Sequence, residues 1–321
     1  MVSINEEAVK VVKNIIKDAA RLGVEIKKLS NGTTILDMGI NAEGSWQAGI
    51  EFVNLNMGNL GMVDIVPYQV GDLELSGVLV HSDQVVTATI ASQIAGWKIT
   101  NGDNTIIGSG PARAQAVVES DYYFKMTDYR DKNDECVLCL QMEELPDVNI
   151  ANQVAKACGV NPENIYLVVA PSASLVGSIQ VAARSVEQTV HKMFEHDFNL
   201  KNIQFAKGLA PIAPIINDET EAMGRINDAL LYGGYSEFWV DCDDDEIKQV
   251  INKLVSEASD HCGKPFSKLY SEAENDFYKM DKNIHAMSKV KMHNMKTGKL
   301  FVAGTIHTDV IEESYTSQIL K

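Results

Sequence analysis

Long hydrophobic runs are missing from this 321-residue sequence. No apolar segment reaches the roughly 18 to 20 residues that a membrane-spanning helix needs, so we expect no membrane-embedded segment. The first twenty residues, MVSINEEAVKVVKNIIKDAA, place charges between their apolar positions and do not resemble a secretory signal. Hydrophobic residues make up 45% and charged residues 22%, a balance typical of globular proteins. We therefore expect a cytoplasmic protein.

Basic residues are few. There are 28 lysines and arginines against 44 aspartates and glutamates, which gives a formal net charge of -16. Because a nucleic-acid backbone would be repelled by this charge, we expect no nucleic-acid partner. Basic side chains gathered in one cleft could still capture a small anionic ligand.

Cysteines number only five, and their odd count and irregular spacing argue against a disulfide framework. Cys136 and Cys139 have CxxC spacing, but on a strand they point to opposite faces, which is poor geometry for zinc. We expect buried thiols. The seven histidines show no HExxH spacing, and the acidic run over 241–246 favours a helix start over a cation site. No metal is therefore expected.

The order of predicted elements indicates the α/β class. An amphipathic helix is predicted over about residues 5–22, and Asn31-Gly32 between two β-like runs predicts a hairpin. From about residue 150 the pattern is β, α, β, α, β, which predicts parallel strands with crossover helices. We predict an N-terminal α/β domain over 1–148 and a C-terminal α/β domain over 149–321. A tail hairpin turned at 296–298 could return to the first domain.

A glycine-rich stretch, TIIGSGPARAQA, is one candidate for ligand binding. The glycines around Ser109, including Gly110, would let backbone amides approach an anion, and Arg113 would add a fork of donors. The Walker pattern GxxxxGK[ST] is absent. A tight turn followed by a helix is the alternative interpretation. The loops AKGLAPIAP and GRINDALLYGG are weaker candidates, since either could be simple helix punctuation.

The stretch QVAARSVEQTVH, residues 180–191, is the second candidate. On one helix with about 100° per residue, a single narrow stripe at the edge of the apolar face holds Gln180, Arg184, Glu187 and His191. An exposed pair at this spacing contributes only about 0.2 to 0.5 kcal/mol and needs no further role. Geometry alone leaves two interpretations open, a surface ion pair and a pair that lines a cleft.

These stretches, taken together, resemble the methenyltetrahydromethanopterin cyclohydrolase family, one-carbon enzymes of methanogenesis that also occur in methylotrophic bacteria. The resemblance runs over essentially the whole chain and includes the motifs VSINEEA, ASQIAGWKI, GSGPARA, QVAARSVE and NDFYKMD. It implies two α/β domains that flank a deep substrate cleft, a homotrimer, and no metal or redox cofactor. The sequence departs from the family pattern in ASDHCGKPF and NIHAMSKV, which puts the local packing there in doubt.

The resemblance also implies residue roles. Glu187 and Arg184 would be the catalytic pair, with Glu187 as general base and Arg184 holding it ionised and oriented. Lys98 and Arg113 would contact substrate anions. Ser109, Gly110 and Gln180 would border the cleft. The substrate carries a methenyl carbon between two nitrogens, an electrophilic cation that needs no metal to polarise it.

Three alternatives remain open at this point. A small-molecule kinase could use GSGPARA and APSASLVGS as phosphate loops, although it would need a Mg²⁺-binding acid near them. A non-catalytic pterin-binding protein would bind the substrate without consuming it. A structural oligomer scaffold would leave the glycine-rich loops unexplained.

Overall fold

The computed structural model describes residues 2–102, 104–118, 121–274 and 279–316. The helices are α1 (Ile4–Lys17), α2 (Ala19–Leu22), α3 (Trp46–Asn56), α4 (Ala112–Ala116), α5 (Val148–Cys158), α6 (Leu175–Ala182), α7 (Ser185–Glu195), α8 (Glu219–Leu231), α9 (Asp244–Val250), α10 (Phe266–Glu272) and α11 (Thr308–Tyr315). The strands are β1 (Glu25–Lys28), β2 (Thr34–Asp37), β3 (Met62–Val70), β4 (Leu73–Ser82), β5 (Trp97–Asn101), β6 (Asn104–Ser109), β7 (Cys136–Gln141), β8 (Ile165–Ala170), β9 (Ile203–Pro211), β10 (Tyr235–Val240), β11 (Lys289–Asn294) and β12 (Leu300–Gly304).

The chain divides into two compact units. The first holds the residues up to Met62 together with Val86–Gln180, and the second holds Val63–Val85 together with the residues from Val181 on. Each unit contains a six-stranded sheet and helices, which confirms the predicted α/β class with two domains. The chain passes between the units three times, and the predicted boundary between 148 and 149 falls inside the first unit.

The sheet of the first unit has the strand order β1-β2-β8-β7-β6-β5. Its three central strands, β2, β8 and β7, are parallel, and the outer pairings are antiparallel. The central strands are buried on both faces, as the apolar run IYLVVA of β8 requires. Cys139 belongs to the core with α1 and α3, whereas Cys136 belongs to the core with α5 on the other face. The two thiols therefore point to opposite faces, as predicted.

The sheet of the second unit has the order β12-β11-β10-β9-β4-β3. Strands β10 and β11 pair in parallel, while β9 pairs antiparallel with both β10 and β4. Helix α7 packs against β9 and β10, helix α8 packs against β9, and Phe238 and Val240 of β10 are buried. The tail hairpin β11–β12 forms as predicted, and its pairing with β10 places it in the second unit rather than the first.

The predicted run of parallel crossovers after residue 150 is wrong. Strands β8 and β9 lie in different sheets, and β9 is antiparallel to β10, with Tyr235 opposite Leu209. The reason lies in the connection between β9 and β10. Its 13-residue helix α8 spans about 20 Å, and the preceding segment 212–218 can extend by a similar distance, about 25 Å at most. The segment and the helix together return the chain to the end where β9 finished.

Several local predictions are confirmed. The first helical segment forms as α1 and α2, with the N-terminus of α1 capped by the Ser3 hydroxyl. The Asn31-Gly32 hairpin forms between β1 and β2. The acidic run begins α9, where the Glu246 carboxylate accepts the Asp243 backbone N–H at 3.0 Å. All five cysteines are free thiols.

Candidate active site

The segment 180–191 is not one helix. Helix α6 ends at Ala182 and α7 begins at Ser185, with Arg184 at the junction (φ -85°, ψ 6°). The Arg184 N–H donates to the carbonyl of Val181, three residues earlier, which tightens the turn between α6 and α7. The single stripe predicted from Gln180 to His191 is therefore corrected. Arg184, Glu187 and His191 belong with α7, whereas Gln180 belongs to α6.

Arg184 and Glu187 form the predicted ion pair. Arg184 Nη1 lies 3.3 Å from Glu187 Oε2, and the two side chains are only 15% and 9% exposed. An ordinary surface ion pair would leave both groups well solvated, so that interpretation is excluded. A carboxylate held beside a guanidinium with little water around it is oriented, and it can accept a proton from a group placed against it.

The next turns of α7 add further ionisable groups. Burial lowers the pKa of His191, whose Nε2 lies 3.6 Å from Glu195 Oε1. Lys192 is buried and donates to Glu195 (2.7 Å) and to the Lys282 carbonyl (2.8 Å). Burial also lowers the pKa of His285 to about 4, with the Lys192 charge acting in the same direction.

Lys192 was missed by the sequence analysis because its charge suggested an exposed position. Ser185 and Thr189 are also fully buried, so the buried face of α7 is wider than its apolar residues indicate. The small polar residues at positions 185 and 189, one turn apart, were the available signal that this face packs closely on a neighbour.

Arg113 lies in the first unit and is 1% exposed. Its Nε and Nη2 donate to the two carboxylate oxygens of Asp121 at 2.7 and 2.9 Å. Its Nη1 donates to the carbonyls of Ile90 and Ser92, both at 3.0 Å, within a π-helical segment over Thr87–Gln93. The guanidinium thus satisfies backbone groups of this irregular helix. Its predicted contact with a substrate anion stays a prediction.

Ser109 and Gly110 lie beside Arg113 and are buried too. The Ser109 hydroxyl accepts from Asn56 Nδ2 at 3.1 Å and donates to the Cys139 carbonyl at 3.3 Å. Gly110 has φ +96° and is followed by the short helix α4, which is the tight turn that the alternative interpretation of this stretch expected.

Gln180 and Lys98 are the remaining predicted contacts, and both lie in the first unit. Gln180 is buried and donates to Gln141 Oε1 at 2.8 Å, at the carboxyl end of β7. Lys98 is exposed on the edge strand β5 between two buried neighbours. The substrate roles of both stay predictions.

Among residues 2–102, 104–118, 121–274 and 279–316, no three His, Cys, Asp or Glu side chains are placed to hold a metal ion. Within the same ranges no helix combines the length and the apolar character needed to cross a bilayer. The motif NDFYKMD lies partly outside the described residues, since these omit 275–278.

Comparison with known proteins identifies the chain as a cyclohydrolase. A family profile described as "Cyclohydrolase (MCH)" matches residues 3–315. The chain is 41% identical over 318 residues to methenyltetrahydromethanopterin cyclohydrolase of Methanocaldococcus jannaschii, with 98% of each chain covered. It is 39% identical over 322 residues to the protein of that name from Methanothermobacter marburgensis, with 98% of this chain and 99% of the relative covered. The chain belongs to the methenyltetrahydromethanopterin cyclohydrolase family, as its sequence motifs predicted.

Proposed function

We propose that this protein reversibly hydrolyses 5,10-methenyltetrahydromethanopterin to 5-formyltetrahydromethanopterin in one-carbon metabolism. Membership of the cyclohydrolase family supports the reaction. The observation that carries the mechanism is the shielded ion pair between Arg184 and Glu187. It lies in QVAARSVE, the motif from which the resemblance assigned the catalytic residues.

Glu187 acts as the general base. The methenyl carbon lies between two nitrogens and shares their positive charge, so it is electrophilic before any catalyst acts. Glu187 accepts one proton from a water molecule while the water oxygen bonds to this carbon. The hydroxyl of the adduct then loses its proton as its oxygen forms the formyl C=O bond, and one C–N bond breaks with its electron pair returning to the nitrogen, which takes up a proton. The formyl oxygen comes from water, and one proton is released overall when Glu187 gives up the proton that it accepted.

Arg184 fixes the direction of the Glu187 carboxylate. Two charges 3.3 Å apart that are mostly shielded from water interact more strongly than an exposed pair. In the ring-closing direction Glu187 returns its proton and acts as the general acid.

Substitution of Glu187 by glutamine tests the proposal. Glu187→Gln keeps the shape and removes the base, so we expect kcat to fall by about 10² to 10⁴-fold, the usual contribution of general base catalysis, with KM changed little. Decay of the methenyl absorbance measures turnover. The matched control is Glu7→Gln on α1, which removes the carboxylate of another ion pair of i,i+3 spacing, with Lys10 at 2.6 Å, and should keep near-parental turnover.

The outcomes separate the competing functions. Parental turnover by Glu187→Gln would refute the assignment of the base. A parent protein that binds the methenyl compound without consuming it would be a pterin-binding protein instead. ATP binding by the parent would favour the kinase alternative.

The proposal includes three further expectations. The protein forms a homotrimer, which light scattering of the purified chain would measure. It needs no metal or redox cofactor, because the substrate supplies its own positive charge, and turnover should therefore survive dialysis against a chelator. It works in the cytoplasm, where the five cysteines, which form no disulfide, would persist as thiols.

A further inference from the structure

Helix α7, which carries Glu187, packs on a cross-strand pair of small residues. Gly208 on β9 lies opposite Ser236 on β10. A Cβ atom added to Gly208 would lie 2.2 Å from Ser185 Oγ and 2.9 Å from Ser185 Cβ. The first turn of α7 therefore rests directly on the bare backbone of β9. We call Gly208 and Ser236 the seat of α7.

A second contact fixes the helix on this seat. Thr189 Oγ1 lies 2.8 Å from Ser236 Oγ, within hydrogen-bond distance. Thr189 follows Ser185 by about one turn, and both side chains are fully buried. Two successive turns of α7 thus contact the two members of the seat, which sets both the height and the rotation of the helix over the sheet.

Glu187 projects from the opposite side of α7. At about 100° per residue it lies about 200° from Ser185 and about 160° from Thr189 around the helix. Any change in the distance between α7 and the sheet is therefore transmitted to Glu187, and to Arg184 at the start of the helix. The seat supports the catalytic pair from behind.

We propose that Gly208 is a positioning residue for the reaction, a role that rests on the proposed function. An ordinary contact requires 3.4 to 4 Å, so a side chain at position 208 must move the Ser185 hydroxyl by more than 1 Å from its 2.2 Å approach, and must move the Ser185 Cβ, which no side-chain rotation can relocate, by at least about 0.5 Å from 2.9 Å. A misplacement of about 1 Å in a catalytic group can cost about 100-fold in rate. Glycine at 208 keeps Glu187 in its working position.

Ser185 offers a complementary change. Its hydroxyl oxygen is buried and has no hydrogen-bond partner within the described part of the chain. The Ser185 side chain therefore contacts Gly208 by steric packing and not through a hydrogen bond. Removing the side chain should make room for a Cβ at position 208, with Val186 Cγ2 as the remaining close neighbour at 3.1 Å.

The experiment compares the parent with Gly208→Ala, Ser185→Gly and the double variant. We expect Gly208→Ala to lower kcat by about 10- to 100-fold with KM changed by less than about threefold. In the Ser185→Gly background the same substitution should cost much less. An equal loss in both backgrounds, or parental kcat for Gly208→Ala, would overturn the proposal.

Gly77→Ala is the matched control. A Cβ at Gly77 on β4 would crowd Leu209 and Tyr68 of the same sheet, at 2.8 and 2.9 Å, and its three nearest atoms all belong to the sheet rather than to α7. It should lower the thermal midpoint and leave kcat unchanged, because overpacking costs stability wherever it occurs. A kcat loss for Gly77→Ala as large as that for Gly208→Ala would attribute the effect to general destabilisation and refute the positioning role.

Thermal unfolding tests the contact between Gly208 and Ser185 independently of the proposed function. If the parent does not consume the methenyl compound, the proposed function fails by itself. The contact between Gly208 and Ser185 is then tested by the thermal midpoint, because Gly208→Ala should lower this midpoint less when Ser185→Gly is also present. Equal destabilisation in both backgrounds would show that Ser185 and Gly208 do not meet as described.

Discussion

The buried ion pair between Arg113 and Asp121 should contribute to stability rather than to substrate affinity. Arg113→Met keeps most of the side-chain volume but removes both bonds to Asp121, at 2.7 and 2.9 Å, and both bonds to backbone carbonyls. The side chains of the pair are 0% and 1% exposed, so the Asp121 carboxylate would be left buried without its cation. Breaking one side of such a pair costs about 3 to 5 kcal/mol.

Urea unfolding followed by circular dichroism measures this loss. The matched control is Lys13→Met, which breaks the pair with Glu135, whose side chains are 53% and 30% exposed. That change should cost less than about 1 kcal/mol, because an exposed pair is screened by water. Where Arg113→Met remains folded, we expect a KM for the pterin close to the parental value. Parental stability combined with a more than tenfold rise in KM would refute this reasoning and make Arg113 a substrate contact.

Two further predictions concern charge. Arg184→Lys keeps a cation near Glu187 but lacks the planar fork, so kcat should fall by about 10-fold or more in the absorbance assay, and a parental kcat would count against the orienting role. Burial raises the pKa of Asp228 from 3.8 to about 7. Between about pH 4 and pH 7 the unfolded chain has therefore lost the Asp228 proton while the folded chain keeps it, so the free energy of unfolding falls as pH rises through this range. Asn at position 228 can keep the contacts with Phe266 and Ser314 but does not titrate. Asp228→Asn should therefore lose the pH dependence that Asp228 causes, which is at most about 1.4 kcal/mol per pH unit. Urea unfolding at pH 5 and 7.5 measures the difference. Identical pH profiles for the two proteins would contradict it.

The elements that the sequence predicted correctly are those whose signals are local. The periodicity of α1, the Asn31-Gly32 hairpin and the acidic start of α9 each depend on residues a few positions apart. Sheet membership could not be predicted in this way. Nothing near β4 indicates that it pairs with β9, since that register depends on packing between distant segments.

In the candidate site, too, local features were predicted and features that depend on distant residues were not. Proximity of Arg184 and Glu187 followed from their spacing of three residues, and only their assignment to catalysis needed the family resemblance. The helix break at Arg184 was not visible, because every residue from Gln180 to His191 is compatible with a continuous helix. The ion pair of Arg113 with Asp121, eight residues further along the chain, was not predicted, because no periodic pattern in the sequence connects the two positions.

The strand pair β4 and β9 has a consequence for synthesis of the protein. Gly77 on β4 pairs with Pro211 on β9. A ribosome that adds about 5 to 20 residues per second completes β9 on the order of ten seconds after β4. During that interval β3 and β4 have no sheet to join, and their apolar positions are open to other nascent chains. Slower translation would lengthen this exposure, so the yield of folded protein should depend on elongation speed between these two strands.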